Sequence, residues 1–185
     1  MVIFRSTKGF TLVELLITVG IVGMLAVIGT TAYNTLNITV NNLVSEIQGK
    51  LFTLDTQYQQ WWNDKQTYPN STTNFLLDSS FVGPYAQVPQ AFTGQDTSLT
   101  NATTTNGYLI NKNTASGGGT YIAMKISGTP SSSDTIWQAL VKLKAKYPVG
   151  KFYFNCGDAT ATADCSTASP IAGGIVLYWI GSRNP

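Results

Sequence analysis

The sequence predicts an α+β protein in which one long N-terminal helix packs against an antiparallel β-sheet. Three observations support this class: an uninterrupted apolar segment opens the chain, an amphipathic helical pattern continues from it, and short strand-like runs fill the C-terminal half. An antiparallel sheet laid on the helix buries the apolar faces of both elements. We therefore expect residues 10–35 to form an apolar helix and residues 36–185 to form a globular head that includes the second half of that helix.

The apolar segment is long enough to cross a membrane. The stretch from Phe10 to Ala32 provides about the 20 residues that a membrane-spanning helix needs. Arg5 and Lys8 precede it, so the positive-inside rule places the N-terminus in the cytoplasm and the rest of the chain outside. Glu14 is the exception in this segment, because an ionised carboxylate costs about 2.5–3.5 kcal/mol at the centre of a membrane helix.

Three interpretations of Glu14 are open. The segment is a secretory signal peptide cleaved near residues 29–32, or a plain single-span anchor, or a helix in which the carboxylate has a function. The helical pattern continues past any signal cleavage site, and a charge brings no benefit to export, so we favour the third. If the chain is cut between Gly9 and Phe10, the new α-amino group of a neighbouring subunit supplies the cation that an intramembrane carboxylate requires.

The composition indicates an exported protein without visible catalytic machinery. Charged residues are 11% of the chain, against about a quarter in average proteins, and the net charge of +2 suggests no strongly charged partner. The chain has no histidine, the commonest general base and the commonest zinc ligand. No nucleophile–base pair, phosphate-binding loop or metal-ligand cluster is visible. We predict no enzymatic activity, no cofactor and no metal site.

The helical pattern beyond the membrane segment has one apolar face and extends to about Asp64. The apolar positions are Leu36, Val40, Leu43, Ile47, Leu51, Leu54 and Tyr58. The polar face comprises Asn41, Ser45, Gln48, Lys50, Asp55 and Gln59. Trp61 and Trp62 are expected to close the core at the end of this helix.

The remainder of the head contains a long connection, several strands and a second helix. Residues 66–106 lack periodicity and predict a partly ordered surface connection. Strands are predicted at Tyr108–Asn111, Tyr121–Ser127, Lys151–Asn155 and Gly174–Ile180, with a hairpin joining the first two. The second helix is capped by Ser133 or Asp134 and ended by Pro148, and its apolar face is formed by Ile136, Leu140, Leu143 and Tyr147.

The two cysteines lie close together near the C-terminus. Cys156 and Cys165 enclose a polar loop between two predicted strands, and paired cysteines in a small exported chain predict a disulfide. Such a bond stabilises the fold by about 2.5–3 kcal/mol on the loop-entropy model. Asp158 and Asp164 could bind calcium, but two carboxylates without further spaced oxygen ligands do not predict a calcium site.

A DNA-binding strip is also a weak hypothesis. It would comprise Lys142, Lys144, Lys146 and Lys151. On the helix, however, Lys144 lies on the other flank of the apolar face from Lys142 and Lys146, which divides the patch. We do not expect a nucleic-acid partner.

The stretch from Lys8 to Leu16, KGFTLVELL, resembles the prepilin signature of type IV pilins and the related pseudopilins. The resemblance implies the pilin fold, removal of residues 1–9 as a leader by a prepilin peptidase that cleaves after Gly9, and N-methylation of Phe10. It also implies that Glu14 pairs with the Phe10 amine of an adjacent subunit. The cysteine loop resembles the disulfide-bounded C-terminal region of many type IV pilins. Many members have a proline in the apolar helix where this chain has none.

The resemblance implies a structural subunit, major or minor, of a type IV pilus-like filament. Its partners are then copies of itself or other pilins, and the pilus or secretion assembly machinery. The chain would begin in the bacterial inner membrane and end in a periplasmic or cell-surface filament. Adhesion, twitching motility and DNA uptake are roles that the resemblance allows. The alternatives are a minor pseudopilin of a type II secretion system and a membrane-tethered binding module, including a DNA-binding one.

Overall fold

The computed structural model describes residues 11–99, 106–113, 119–158 and 164–180, in two compact units that comprise residues 1–39 and 40–185. The elements in chain order are α1 (Leu12–Lys65), a 3-10 helix (Phe75–Leu77), β1 (Gln95–Asp96), β2 (Tyr108–Lys112), β3 (Thr120–Ile126), α2 (Thr135–Lys146), β4 (Phe152–Cys156) and β5 (Ile175–Ile180). The predicted fold class is confirmed, since a long N-terminal helix, an antiparallel sheet and a Cys156–Cys165 disulfide are all present.

The first unit consists of the exposed start of α1. Every side chain from Leu12 to Leu36 is exposed, and the helix runs without a break through Gly20, Gly23 and Gly29. A Cβ atom at any of these glycines would meet open space. A helix whose apolar side chains are exposed all round requires lipid or other chains to cover it.

The second half of α1 belongs to the head and buries one stripe of side chains. The buried apolar positions are Val40, Val44, Ile47, Leu51, Leu54, Tyr58 and Trp61. Leu43 is half-buried against the core and Leu36 is exposed, because the core begins only at Val40. The predicted apolar face is therefore correct from Val40 onward, with Val44 as an added position.

The sheet is antiparallel and buried on both faces. β3 pairs with β1 and β2 along one edge and with β5 along the other, and β5 pairs with β4. One face packs with α1 and α2, and the opposite face carries a second apolar cluster that includes Leu109, Tyr121, Leu177 and Trp179. Successive side chains of a strand point to opposite faces of the sheet. Because both faces are buried, consecutive residues of a strand must be apolar, as in the IVLYWI sequence of β5.

The segment after α1 is more than the surface connection that its composition predicts. Among its described residues, the apolar side chains buried in the head include Phe75, Leu76, Phe81, Ala86, Phe92 and Leu99. Asn74 joins this segment to the sheet, because its carboxamide donates to the Tyr108 carbonyl at 3.1 Å and accepts from the Ile110 amide at 3.0 Å. The core residues are separated by irregular turns and therefore leave no periodic signal in the sequence.

α2 lies close to its predicted position but is capped differently. Leu140 and Leu143 are buried while Ile136 and Tyr147 are half-buried against the same core, as the pattern indicates. Asp134 occupies the N-cap position, yet its side chain makes no capping bond to the helix. Its carboxylate instead accepts from the Ser131 amide at 2.7 Å, so it stabilises the turn before α2.

The C-terminal region is held by the disulfide and by Asn155. Cys156 ends β4 and is bonded to Cys165. The pairing of β4 with β5 is irregular between Tyr153 and Cys156, and Asn155 has a φ of 62° there. The Asn155 carboxamide then donates to the Ser169 carbonyl at 2.9 Å and accepts from the Ile171 amide at 2.9 Å, which ties the segment after the disulfide to the sheet.

Candidate functional site

The first turn of α1 is built around Thr11 and Glu14. The Glu14 carboxylate oxygen Oε2 accepts hydrogen bonds from the Thr11 amide and the Thr11 hydroxyl, both at 3.0 Å. The Thr11 Oγ1 in turn accepts from the Glu14 amide at 3.3 Å. Thr11 immediately precedes the helix and Glu14 is its third residue, so the two form a capping box that satisfies otherwise unpaired amides.

This arrangement gives the carboxylate a local role that we did not predict. We expected Glu14 to act only through a neighbouring subunit, and the signal for the cap, a threonine followed three residues later by glutamate, lies in the stretch TLVE. A carboxylate at a helix N-terminus is also stabilised by the helix dipole. Both bonds from Thr11 end on Oε2, so Oε1 has no donor among the residues that the structure describes.

The other two predicted processing residues, Gly9 and Phe10, lie outside the described residues. The order of the chain nevertheless places Phe10 next to Thr11, the residue whose amide and hydroxyl contact Glu14. Cleavage after Gly9, methylation of Phe10 and pairing between subunits therefore remain predictions.

The helix that follows is suited to an apolar environment. Within the described residues, α1 is long and apolar enough to cross a membrane, and none of its most apolar stretch is buried within the chain. Its polar side chains are satisfied locally, because the hydroxyls of Thr18, Thr30 and Thr31 each donate to a carbonyl of the same helix at 2.9 Å. A segment with its hydroxyls satisfied in this way enters lipid without leaving unpaired donors.

Two of the lysines considered for DNA face carboxylates of the head. Lys144 forms an ion pair with Asp164 at 3.0 Å and donates to the Phe152 carbonyl at 2.7 Å. Lys151 lies 3.6 Å from the carboxylate of Asp55. Lys142 contacts Asn41, and only Lys146 has no such contact among the described residues. Carboxylates therefore offset the charge of two of these four lysines, which argues against a strongly basic strip.

Of the two acidic residues considered for calcium, Asp164 is engaged by side chains of the head itself. Partial burial acts to raise the pKa of Asp164, but hydrogen bonds from Lys144 and Ser166 outweigh it and lower that pKa below its usual value. Within the described part of the chain, no group of three or more carboxylate or cysteine side chains is placed to hold a metal ion.

Comparison with known families identifies the class of this N-terminal site. Residues 4–30 match the family described as the prokaryotic N-terminal methylation motif. This motif is the signature of type IV pilins and pseudopilins, and its presence supports a protein of the pilin-like or pseudopilin class. No curated protein and no solved structure matches the chain. The motif and the apolar helix are consistent with a membrane-associated precursor that assembles into a filament.

Proposed function

We propose that the chain is a structural subunit of a type IV pilus-like filament, cleaved after Gly9, methylated on Phe10 and assembled through α1. The observation that carries this proposal is the position of the methylation motif, which leads directly into an apolar helix with no internal cover. In the precursor, lipid covers this helix, and in the filament the same helices of neighbouring subunits cover it. The head then remains outside the filament core.

The geometry of Glu14 supports a contact between subunits. The capping box supplies hydrogen bonds to one carboxylate oxygen but no positive charge, and Oε1 has no described donor. A charge in an apolar environment is stable only when it is paired and hydrogen-bonded. The free amine of a processed neighbour would meet both requirements. Local capping and pairing between subunits are therefore compatible roles of the same side chain.

Two substitutions separate these roles. Glu14→Gln keeps an oxygen that can accept the Thr11 bonds, since glutamine also serves in capping boxes, but it removes the charge. Glu14→Ala removes both. We expect both variants to lose filaments in electron micrographs while their membrane levels match the wild type. If Glu14→Gln assembles normally and only Glu14→Ala fails, capping is the sole role and charge pairing is refuted.

The processing step has a direct test. N-terminal mass spectrometry of the mature protein should find a peptide that begins with methylated Phe10. A mature protein that begins at Met1, or near Ala32, would contradict the proposed processing. A Gly9→Leu precursor should accumulate uncleaved, because a bulky side chain replaces the small residue at the cleavage site.

Within the class, we favour a pilus subunit over a minor pseudopilin of a type II secretion system. The disulfide-bounded C-terminal region and the long Ser/Thr/Asn-rich part of the head support this choice. Deletion of the gene should then reduce surface fibres and leave protein secretion intact. Loss of secretion with unchanged fibres would instead assign the chain to the secretion system.

A further inference from the structure

The head has an open cavity of about 310 Å³ at the C-terminal end of α1. Four of its lining residues come from α1, and the others from the following loop, β3 and β5; the polar and aromatic ones are Tyr58, Gln59, Trp62, Asn63, Tyr68 and Thr120. We propose that this cavity binds a neutral saccharide. The volume lies at the lower end of the range for small-molecule sites, about 300–1,000 Å³, which suits a terminal sugar of a glycan.

Aromatic rings form the apolar part of the cavity. Trp62 stacks on Tyr58 with their ring centroids 6.4 Å apart and their planes at 24°. Tyr68 also packs against Trp62, with centroids 5.1 Å apart and planes at 56°, and is 38% exposed. The electron-rich face of an aromatic ring attracts the weakly positive C–H groups on one face of a pyranose. The rings therefore supply a surface for the apolar side of a sugar.

Hydrogen-bonding groups in the cavity are uncharged and already oriented. The Gln59 amide nitrogen donates to Asp55 at 2.6 Å, which fixes the carboxamide and leaves its carbonyl oxygen as an acceptor. The Thr120 hydroxyl donates to the Tyr58 oxygen at 2.9 Å, so the Tyr58 hydroxyl retains its own proton to donate. The Asn63 carboxamide adds a donor and an acceptor.

The chemistry of this lining selects one class of ligand. No described residue that lines the cavity is charged, and the Lys112 ammonium, 5.0 Å from the Tyr68 ring centroid, is already engaged by that ring. An anionic sugar or a phosphate would therefore lose its hydration without gaining an unengaged cation from the lining. A purely apolar ligand would leave the carboxamides and the hydroxyl unpaired. A neutral sugar presents hydroxyl groups at its edge and C–H groups on its face, and it satisfies both parts of the cavity.

The experiment uses the full chain in lipid nanodiscs, because maltoside detergents carry sugar head groups that would compete. The probe is an array of neutral and sialylated oligosaccharides, followed by saturation-transfer NMR with the glycans that bind. We expect neutral glycans to bind and both Trp62→Ala and Tyr68→Ala to weaken binding at least tenfold. Phe52→Ala is the matched control, since Phe52 is an aromatic residue of α1 that is 67% exposed and does not line the cavity.

A further variant distinguishes loss of sugar binding from loss of folding. Asn63 is exposed on the helix, so Asn63→Leu should retain the thermal midpoint of the wild type and still lose the sugar. The proposal is overturned if no neutral glycan binds the wild type, if only sialylated glycans bind, or if Asn63→Leu binds as the wild type does. The measurement needs no filament, so its failure leaves the proposed assembly function untouched.

Discussion

The hydroxyl of Tyr178 in β5 donates a hydrogen bond of 2.7 Å to the buried carboxylate of Asp55 in α1. Lys151 lies 3.6 Å from the same carboxylate oxygen, and Gln59 donates to the other oxygen at 2.6 Å. A buried charge is stable only with partners of this kind. The cluster therefore joins the helix to the sheet with a geometry that apolar packing alone does not specify.

Removing the carboxylate should destabilise the head. Asp55→Ala removes the acceptor of the Tyr178 hydroxyl and the carboxylate that faces the Lys151 ammonium, and breaking a buried pair costs about 3–5 kcal/mol. Tyr178→Phe removes one hydrogen bond to a charged group and should cost about 1.5–3 kcal/mol. Denaturant unfolding followed by tryptophan fluorescence measures both values.

The coupling between these residues distinguishes the cluster from simple packing. In the double variant, the second substitution should cost less than it does alone, because the shared bond is already lost. Strictly additive effects of the two substitutions would show that Asp55 and Tyr178 do not stabilise the fold as a pair.

The sequence could predict the elements whose regular apolar pattern extends over many residues. α1 ends at Lys65 where the pattern predicts about Asp64, since dozens of positions contribute to one helical signal. Asp55 was assigned to the polar face because a carboxylate is normally exposed, but it is buried, 6% exposed. Its partner Tyr178 is 123 residues away, and no local pattern reports a contact at that separation.

At the candidate site too, the sequence predicts the residues of the motif but not their hydrogen bonds. The motif that ends in Glu14 is recognisable from residue types alone, whereas the bonds to Thr11 depend on where the helix begins. The core residues that follow α1 could not be predicted, because they belong to no long regular element. Phe75, Phe81 and Phe92 are buried singly between turns, where neither helical nor strand periodicity applies.

The connection after α1 can be tested as part of the core. Phe81 is fully buried and packs edge-on against Trp61, with ring centroids 5.7 Å apart. Phe81→Ala should cost about 3–5 kcal/mol of unfolding free energy, which is typical of a large buried aromatic residue. Leu77→Ala is the matched control, because Leu77 lies in the same segment but is 47% exposed. If both variants lose a similarly small amount of unfolding free energy, the segment is a surface connection and not part of the core.

Asp78 should contribute to stability in a manner that depends on pH. Partial burial acts to raise the pKa of Asp78, but hydrogen bonds from the Ser80 hydroxyl, the Asn70 amide and the Ser80 amide lower it below the ordinary value of 3.8. The folded state thus binds the proton less tightly than the unfolded state. The stabilisation is fully present only well above the unfolded-state pKa, from about pH 5 upward, and is lost as the pH falls through the folded-state pKa.

The variant Asp78→Asn provides the measurement. At about pH 7 it should be less stable than the wild type, and the difference should shrink as the pH falls through the folded-state pKa and the wild-type carboxyl becomes protonated. Unfolding midpoints in urea at a series of pH values report this convergence. A stability difference that stays constant across the series would show that the substitution acts through packing and not through the charge.

The disulfide should stabilise the head without being required for the sheet. Cys156 is fully buried in the second apolar cluster, and the neighbouring Asn155 independently anchors the segment from Ser169 to Ile171. Replacing both cysteines by alanine should therefore lower the unfolding free energy by about 2.5–3 kcal/mol, the loop-entropy value, and leave the circular dichroism spectrum unchanged. Asn155→Ala in the oxidised protein is the comparison, because it removes the anchor and keeps the bond. If the cysteine variant loses its sheet spectrum altogether, the disulfide holds the fold together and the anchor does not suffice.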